Sequence, residues 1–141
     1  MVTDIYTTDK KYNIIYADPP WKYNTWRNGM GTVENHYPTM NIEDIVNMND
    51  TIKKISNRDC ILFLWVTFPC LLDGLKVMKE WGFKYKTCGF NWVKRNKVSD
   101  TWFFGLGHWT RANSELCLIG TKGTIKRKSN KVSQIIDTHI E

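Results

Sequence analysis

The stretch Tyr12-Asn13-Ile14-Ile15-Tyr16-Ala17-Asp18-Pro19-Pro20-Trp21 restricts what this chain can fold into more than any other. Residues 12–17 are mostly β-formers, and the two prolines that follow stop any regular element. Proline also holds the residue before it extended, so Asp18 and Pro19 cannot continue into a helical turn. The segment predicts a buried strand that ends abruptly. It delivers one acid, two rigid carbonyls and one large aromatic ring to its C-terminal edge. In open α/β sheets that edge borders the crevice where ligands bind.

A carboxylate, stiff carbonyl acceptors and an aromatic face at one spot suit a planar group carrying an NH₂. The acceptors hold the amine hydrogens while the ring stacks. The exocyclic amine of a nucleobase is such a group, and it is a poor nucleophile because its lone pair is delocalised into the ring. Hydrogen bonds to Asp18 and a proline carbonyl favour a more nucleophilic geometry and stabilise positive charge as it develops. The same four residues also suit an ordinary strand-ending turn, which Asp-Pro often signals.

Downstream, Lys22 to His36 is polar and glycine-containing, a loop of the length and position expected of a lid. A short helix is predicted from Asn41, which serves as its N-cap. Cys60 to Val66 is a continuous apolar run of strand length, as expected of a central strand covered on both faces. Thr67 is placed to cap the next helix, Pro69 sits in its first turn, and Gly82 closes it. Leu71, Leu72, Leu75, Met78 and Trp81 form its apolar stripe. Strands are predicted at Lys84–Val93 and Leu116–Ile119, completing the strand–helix–strand rhythm of a mainly parallel sheet. Between them, Phe103-Phe104-Gly105-Leu106-Gly107 imitates a cofactor-binding glycine turn. A charged loop precedes it and no helix follows, so residues 105–111 read as a second mobile loop.

With 141 residues, 42% hydrophobic and 13% aromatic, the chain forms one domain, residues 1–141. A net charge of +6 favours a polyanionic partner. The basic tail, Lys122 to Lys131, reads equally as a solvated loop or as a phosphate-contacting arm. Cys60, Cys70, Cys88 and Cys117 have no CxxC spacing and no histidine at metal spacing. They read as reduced core thiols of a cytoplasmic protein. The longest apolar stretch is broken by Thr67 and Pro69 and falls short of the roughly 18 residues that span a bilayer, so no membrane association is expected.

Taken in order, Y-A-D-P-P-W, Y-P-T-M, I-L-F-L-W-V-T, E-W-G-F, W-V-K, G-L-G-H-W and E-L-C-L-I-G-T-K-G resemble a single family. It is that of the adenine methyltransferases typified by the catalytic subunit of the messenger-RNA adenine methyltransferase, with bacterial and phage relatives. The resemblance runs from Tyr12 to Gly123. It implies an α/β, Rossmann-like fold, S-adenosylmethionine as cofactor, and adenine's exocyclic amine in DNA or RNA as acceptor. Carried over by residue, the catalytic tetrapeptide is Asp18, Pro19, Pro20 and Trp21. One gate over the base spans Lys22 to Tyr37, with Lys22, Tyr23 and Tyr37 as substrate-binding residues. The second begins at Gly107-His108-Trp109 and runs to Glu115, adding His108, Trp109 and Arg111. Asp18 and Pro19 also border the cofactor, and Ser114 stands where a family member places a lysine near it. No metal is implied.

Family members continue past the equivalent of Asp137-Thr138-His139 into a further helix and strand whose Arg and Asn residues hold the cofactor. This chain stops at Glu141. The fold is therefore expected to be incomplete at its C-terminus, with a second chain as the partner that completes the pocket. The alternative is a catalytically inactive remnant or scaffold subunit that binds nucleic acid or a partner methyltransferase chain.

Overall fold

A computed structural model describes residues 2–22, 38–105, 107 and 109–140. The first strand, β1 (Tyr12–Ala17), is followed by two short helices, α1 (Ile42–Val46) and α2 (Asn49–Ile55), and by the long strand β2 (Ser56–Val66). A 3₁₀ turn at Phe68–Cys70 leads into α3 (Leu71–Glu80). Strands β3 (Lys84–Arg95), β4 (Ser114–Lys122) and β5 (Ile135–His139) complete the fold. The predicted lid at residues 23–36 lies outside the described residues.

The five strands form one sheet in the order β1-β2-β4-β3-β5. β1 pairs parallel to β2 and β3 parallel to β5, while β4 runs antiparallel to both of its neighbours. Four strands thus share a direction and only β4 is reversed. The mixed α/β architecture is Rossmann-like, as the resemblance implied. The reversal has a simple cause. Parallel pairing needs a long crossover, usually a helix, and the described residues of the 96–113 connection form none; β4 instead folds back alongside β3.

The core lies between one face of this sheet and the helices. Leu62, Leu64, Val66 and Leu118 from the sheet meet Ile45, Ile52, Val77, Met78 and Trp81 from the helices. Each such side chain contributes about 1.5–3 kcal/mol on burial. The Trp81 indole also donates to the Ile45 carbonyl at 2.9 Å, tying the end of α3 to α1. Gly82, at φ +89°, closes α3 in a conformation that costs a side-chain-bearing residue about 1–2 kcal/mol.

Several expectations change. β2 is not covered on both faces: alternate residues from Cys60 to Val66 are buried, while Ile61, Phe63 and Trp65 are only partly covered. Ile14 and Tyr16 of β1 share that second face and are exposed. Leu72 belongs to no core stripe, being 82% exposed. Neither Asn41 nor Thr67 makes a side-chain cap bond, and the Thr67 hydroxyl is buried without a partner. Helix α2 was missed because its apolar signal is only Ile52 and Ile55, three positions apart. No strand is predicted beyond residues 116–119, but residues 135–139 form one along β3. Arg95 fixes it there with a bidentate pair to Asp137 at 2.7 Å for both nitrogens.

Candidate active site

β1 ends at Ala17, and the chain then turns sharply through the two prolines. The Trp21 amide donates to the Pro19 carbonyl at 2.8 Å, and the Met40 amide donates to the Pro20 carbonyl at 2.8 Å. The two carbonyls are therefore not free, as their prolines alone suggested. Pro19 retains a second lone pair on its oxygen, whereas Pro20 serves to dock residue 40. Trp21 also differs from expectation. Its side chain is 5% exposed, and its Nε1 donates to the Trp65 carbonyl at 2.8 Å. Both ring faces are occupied by protein, so it offers no stacking surface to a base. It acts as the bolt that fastens the turn to β2.

Asp18 is left projecting from the sheet edge, held by no hydrogen bond among the described residues. It follows directly on the end of β1, within electrostatic reach of Glu115 and Lys94 on the open side of the sheet. Partial burial raises its carboxyl above the ordinary carboxylate range, Glu115 pushes in the same direction, and Lys94 opposes them. Behind it along the free edge of β1 runs an apolar groove of about 400 Å³, lined by Ile14, Tyr16, Pro19, Met40 and their neighbours.

A chain of aromatic contacts crosses the open face beside Asp18. The Trp65 Nε1 donates to the Tyr16 hydroxyl at 2.5 Å. Trp65 meets Trp92 edge-on, with centroids 6.4 Å apart, and Trp92 Nε1 donates to Thr138 at 2.7 Å. Lys94 lies 4.7 Å from the Trp92 centroid and pairs with Glu115. Sequence reasoning gave no role to Tyr16, Trp65, Trp92 or Lys94. Their alternation along strands was the available signal, and the assumption that β2 is covered on both faces obscured it.

Of the remaining expected residues, Trp109 is 99% exposed and Arg111 is exposed, both in the β3–β4 connection at the same end of the sheet as Asp18. Ser114 opens β4 opposite Val93, at that edge too. Lys22 is exposed on the helical side, lining a polar hollow with Asn41, Glu43 and Asp73. Tyr23, Tyr37 and His108 lie outside the described residues. Gly105 and Gly107 sit where a Cβ would stand 2.2 Å from the Ala112 carbonyl oxygen and 1.7 Å from that of Thr110. Their lack of a side chain lets the loop close on itself.

Comparison with known proteins places the chain in a family. The MT-A70 family model matches residues 12–140. The chain belongs to the MT-A70 family. Among its relatives, the Type II methyltransferase M.MunI from Mycoplasma sp. is 30% identical, with 92% of this chain and 60% of the relative covered. The N6-adenosine-methyltransferase non-catalytic subunit MTB from Arabidopsis thaliana is 33% identical, covering 93% of this chain and 16% of its own length. A Putative N(6)-adenosine-methyltransferase MT-A70-like protein from Medicago truncatula is 30% identical, with 92% and 19% covered. The chain thus spans less than two thirds of the length of these relatives.

For an MT-A70 chain, S-adenosylmethionine is the group to test against the site. The groove beside β1 suits its apolar and cationic parts: aromatic and aliphatic side chains line it, and Asp18 supplies an anion at its end. The lining contains no basic side chain to pair with that molecule's carboxylate. The residues present therefore fit one half of it. Among the described residues, no group of three His, Cys, Asp or Glu side chains has metal-binding geometry. No helix described is long and apolar enough to cross a membrane.

Proposed function

We propose that this chain is an S-adenosylmethionine-dependent adenine N6-methyltransferase domain acting on DNA or RNA, with a second polypeptide segment supplying the rest of the cofactor pocket. The observation that carries this reading is the locked Asp18-Pro19-Pro20-Trp21 turn. Its geometry is fixed by Trp21 and Met40, yet its carboxylate is unengaged and faces an aromatic-lined sheet edge. An enzyme reaches a base by taking it from single strand or by flipping it out of a duplex. Asp18 and the second lone pair of Pro19 then accept the two amine hydrogens, while Trp109 and Arg111 border the base and its phosphates. The bound cofactor supplies the methyl group. Most of the acceleration comes from acceptors already in position. Free thiols at all four cysteines suit a reducing, cytoplasmic setting.

Calorimetric titration of S-adenosylmethionine, followed by transfer of labelled methyl to adenine-containing oligonucleotides, tests the proposal. Methylation that disappears in Asp18→Ala, with the circular dichroism spectrum unchanged, is the expected result. Retained activity in that variant rules out the assignment. The similarity to the non-catalytic subunit MTB favours a second reading, a scaffold that binds nucleic acid or a methyltransferase chain. Oligonucleotide binding without methyl transfer, unchanged by Asp18→Ala, selects it.

A further inference from the structure

The Lys94–Glu115 pair is built with more care than a surface ion pair requires. Lys94 lies near the end of β3, and its backbone N–H donates to the Asn113 carbonyl at 2.8 Å. Glu115 lies in β4 directly across from Trp92. The side chains are 17% and 32% exposed, so solvent screens the pair only in part. The ammonium is held a second time over the Trp92 ring, and that ring is in turn fixed by Thr138 and by the edge of Trp65. Trp65 grips Tyr16. The contacts form an unbroken path from Tyr16, two residues before Asp18, to the Lys94–Glu115 pair, whose charges reach Asp18.

We propose that Lys94 and Glu115 are positioning residues for Asp18, a clamped and internally neutral pair that fixes the charge this carboxylate faces and so keeps it free to accept hydrogen bonds from an amine. This rests on Asp18 being the amine's acceptor. Each partner alone would be harmful. Glu115 without Lys94 puts an uncompensated carboxylate beside Asp18, and two such groups resist joint ionisation. Lys94 without Glu115 leaves a cation to capture Asp18 directly and hide it from substrate. Held together, they largely cancel. The charged groups acting on Asp18 among the described residues are these two, from β4 and β3. Cys117, also near Asp18 on β4, has its thiol pushed up to about 11 by burial first, then by Cys88 and Asp18, and stays neutral. β2 contributes Trp65, Val66 and Thr67 at this edge, none of them ionisable.

The test follows the Asp18 carboxyl by ¹³C NMR in the purified chain as pH is varied, with the resonance assigned by Asp18→Asn. Lys94→Met retains the stem over Trp92 and should move the Asp18 titration midpoint up. Glu115→Gln should move it down. The double variant should return it toward the parent value, and Lys94→Arg should leave it nearly unmoved. Midpoints that stay in place, or that move in one direction in both single variants, overturn the proposal. Should Lys94→Met fail to fold, the Glu115→Gln midpoint decides alone. The measurement needs neither donor nor acceptor, so its outcome is separable from that of the methyl-transfer assay. In an active preparation, the acid limb of kcat/KM should move in the same opposed directions.

Discussion

Asp18 and Trp21 are three positions apart and do opposite work. One is exposed and unengaged; the other is packed away so that the first stays where it is. The Trp21 indole donates to the Trp65 carbonyl, a backbone acceptor near the end of β2. Trp21→Phe keeps the apolar bulk and removes that donor, so it should destabilise the chain by about 1–3 kcal/mol in urea unfolding. Trp21→Ala should cost about 3–5 kcal/mol by emptying the site as well. If Trp21→Ala instead preserved stability and abolished base binding, the ring would be a stacking surface after all. The placement of Asp18 just past the end of β1 was readable from residue type and spacing, because proline constrains its neighbours wherever it occurs. The burial of Trp21 was not, since a tryptophan beside an acid looks the same in sequence whether it faces ligand or core.

Strands announce themselves by composition but not by neighbour. β1, β2 and β3 were legible as apolar or β-branched runs, and α3 by its spacing and its closing glycine. That β4 inserts between β2 and β3 was not legible, because pairing depends on what the 96–113 connection omits. β5 was hidden for a different reason. It is short and largely exposed, and its side chains are tied to β3 and the loop after it by Arg95–Asp137, Trp92–Thr138 and His139–Asp100. Arg95 lowers the Asp137 carboxyl below its usual range through the bidentate hydrogen bond first and charge second. A carboxylate with a depressed folded-state pKa adds stability above its unfolded value and loses it as pH falls through the folded one. Amide hydrogen exchange in residues 135–139 should therefore accelerate in acid before that of β2, and Asp137→Asn should remove this pH dependence while raising exchange at neutral pH. Exposed pairs contribute little, so the effect should be confined to β5.

At the scale of the molecule, the reversed strand carries the basic tail away from the Asp18 edge. β4 begins at the Asp18 edge and carries the chain about 27 Å away over nine residues, at about 3.4 Å per residue. Lys126, Arg127 and Lys128 therefore follow from the far end of the sheet, where the Thr124 amide is held by Asp59, rather than from the edge at Asp18. Charge alone does not separate an arm from a solvated loop; the direction of β4 bears on it. Replacing all three with Gln should leave affinity for a short single-stranded oligonucleotide unchanged, whereas Lys97→Gln with Arg111→Gln should weaken it and flatten its salt dependence. A loss in the first variant would mean that nucleic acid crosses the sheet. The same reversal dictates an order of assembly. Both neighbours of β3, namely β4 and β5, come later in the chain, so during synthesis Tyr85, Phe90 and Trp92 leave the ribosome with no strand to pair with. At about 5–20 residues per second, the wait for β4 lasts seconds, long enough for a holding chaperone to find that segment first.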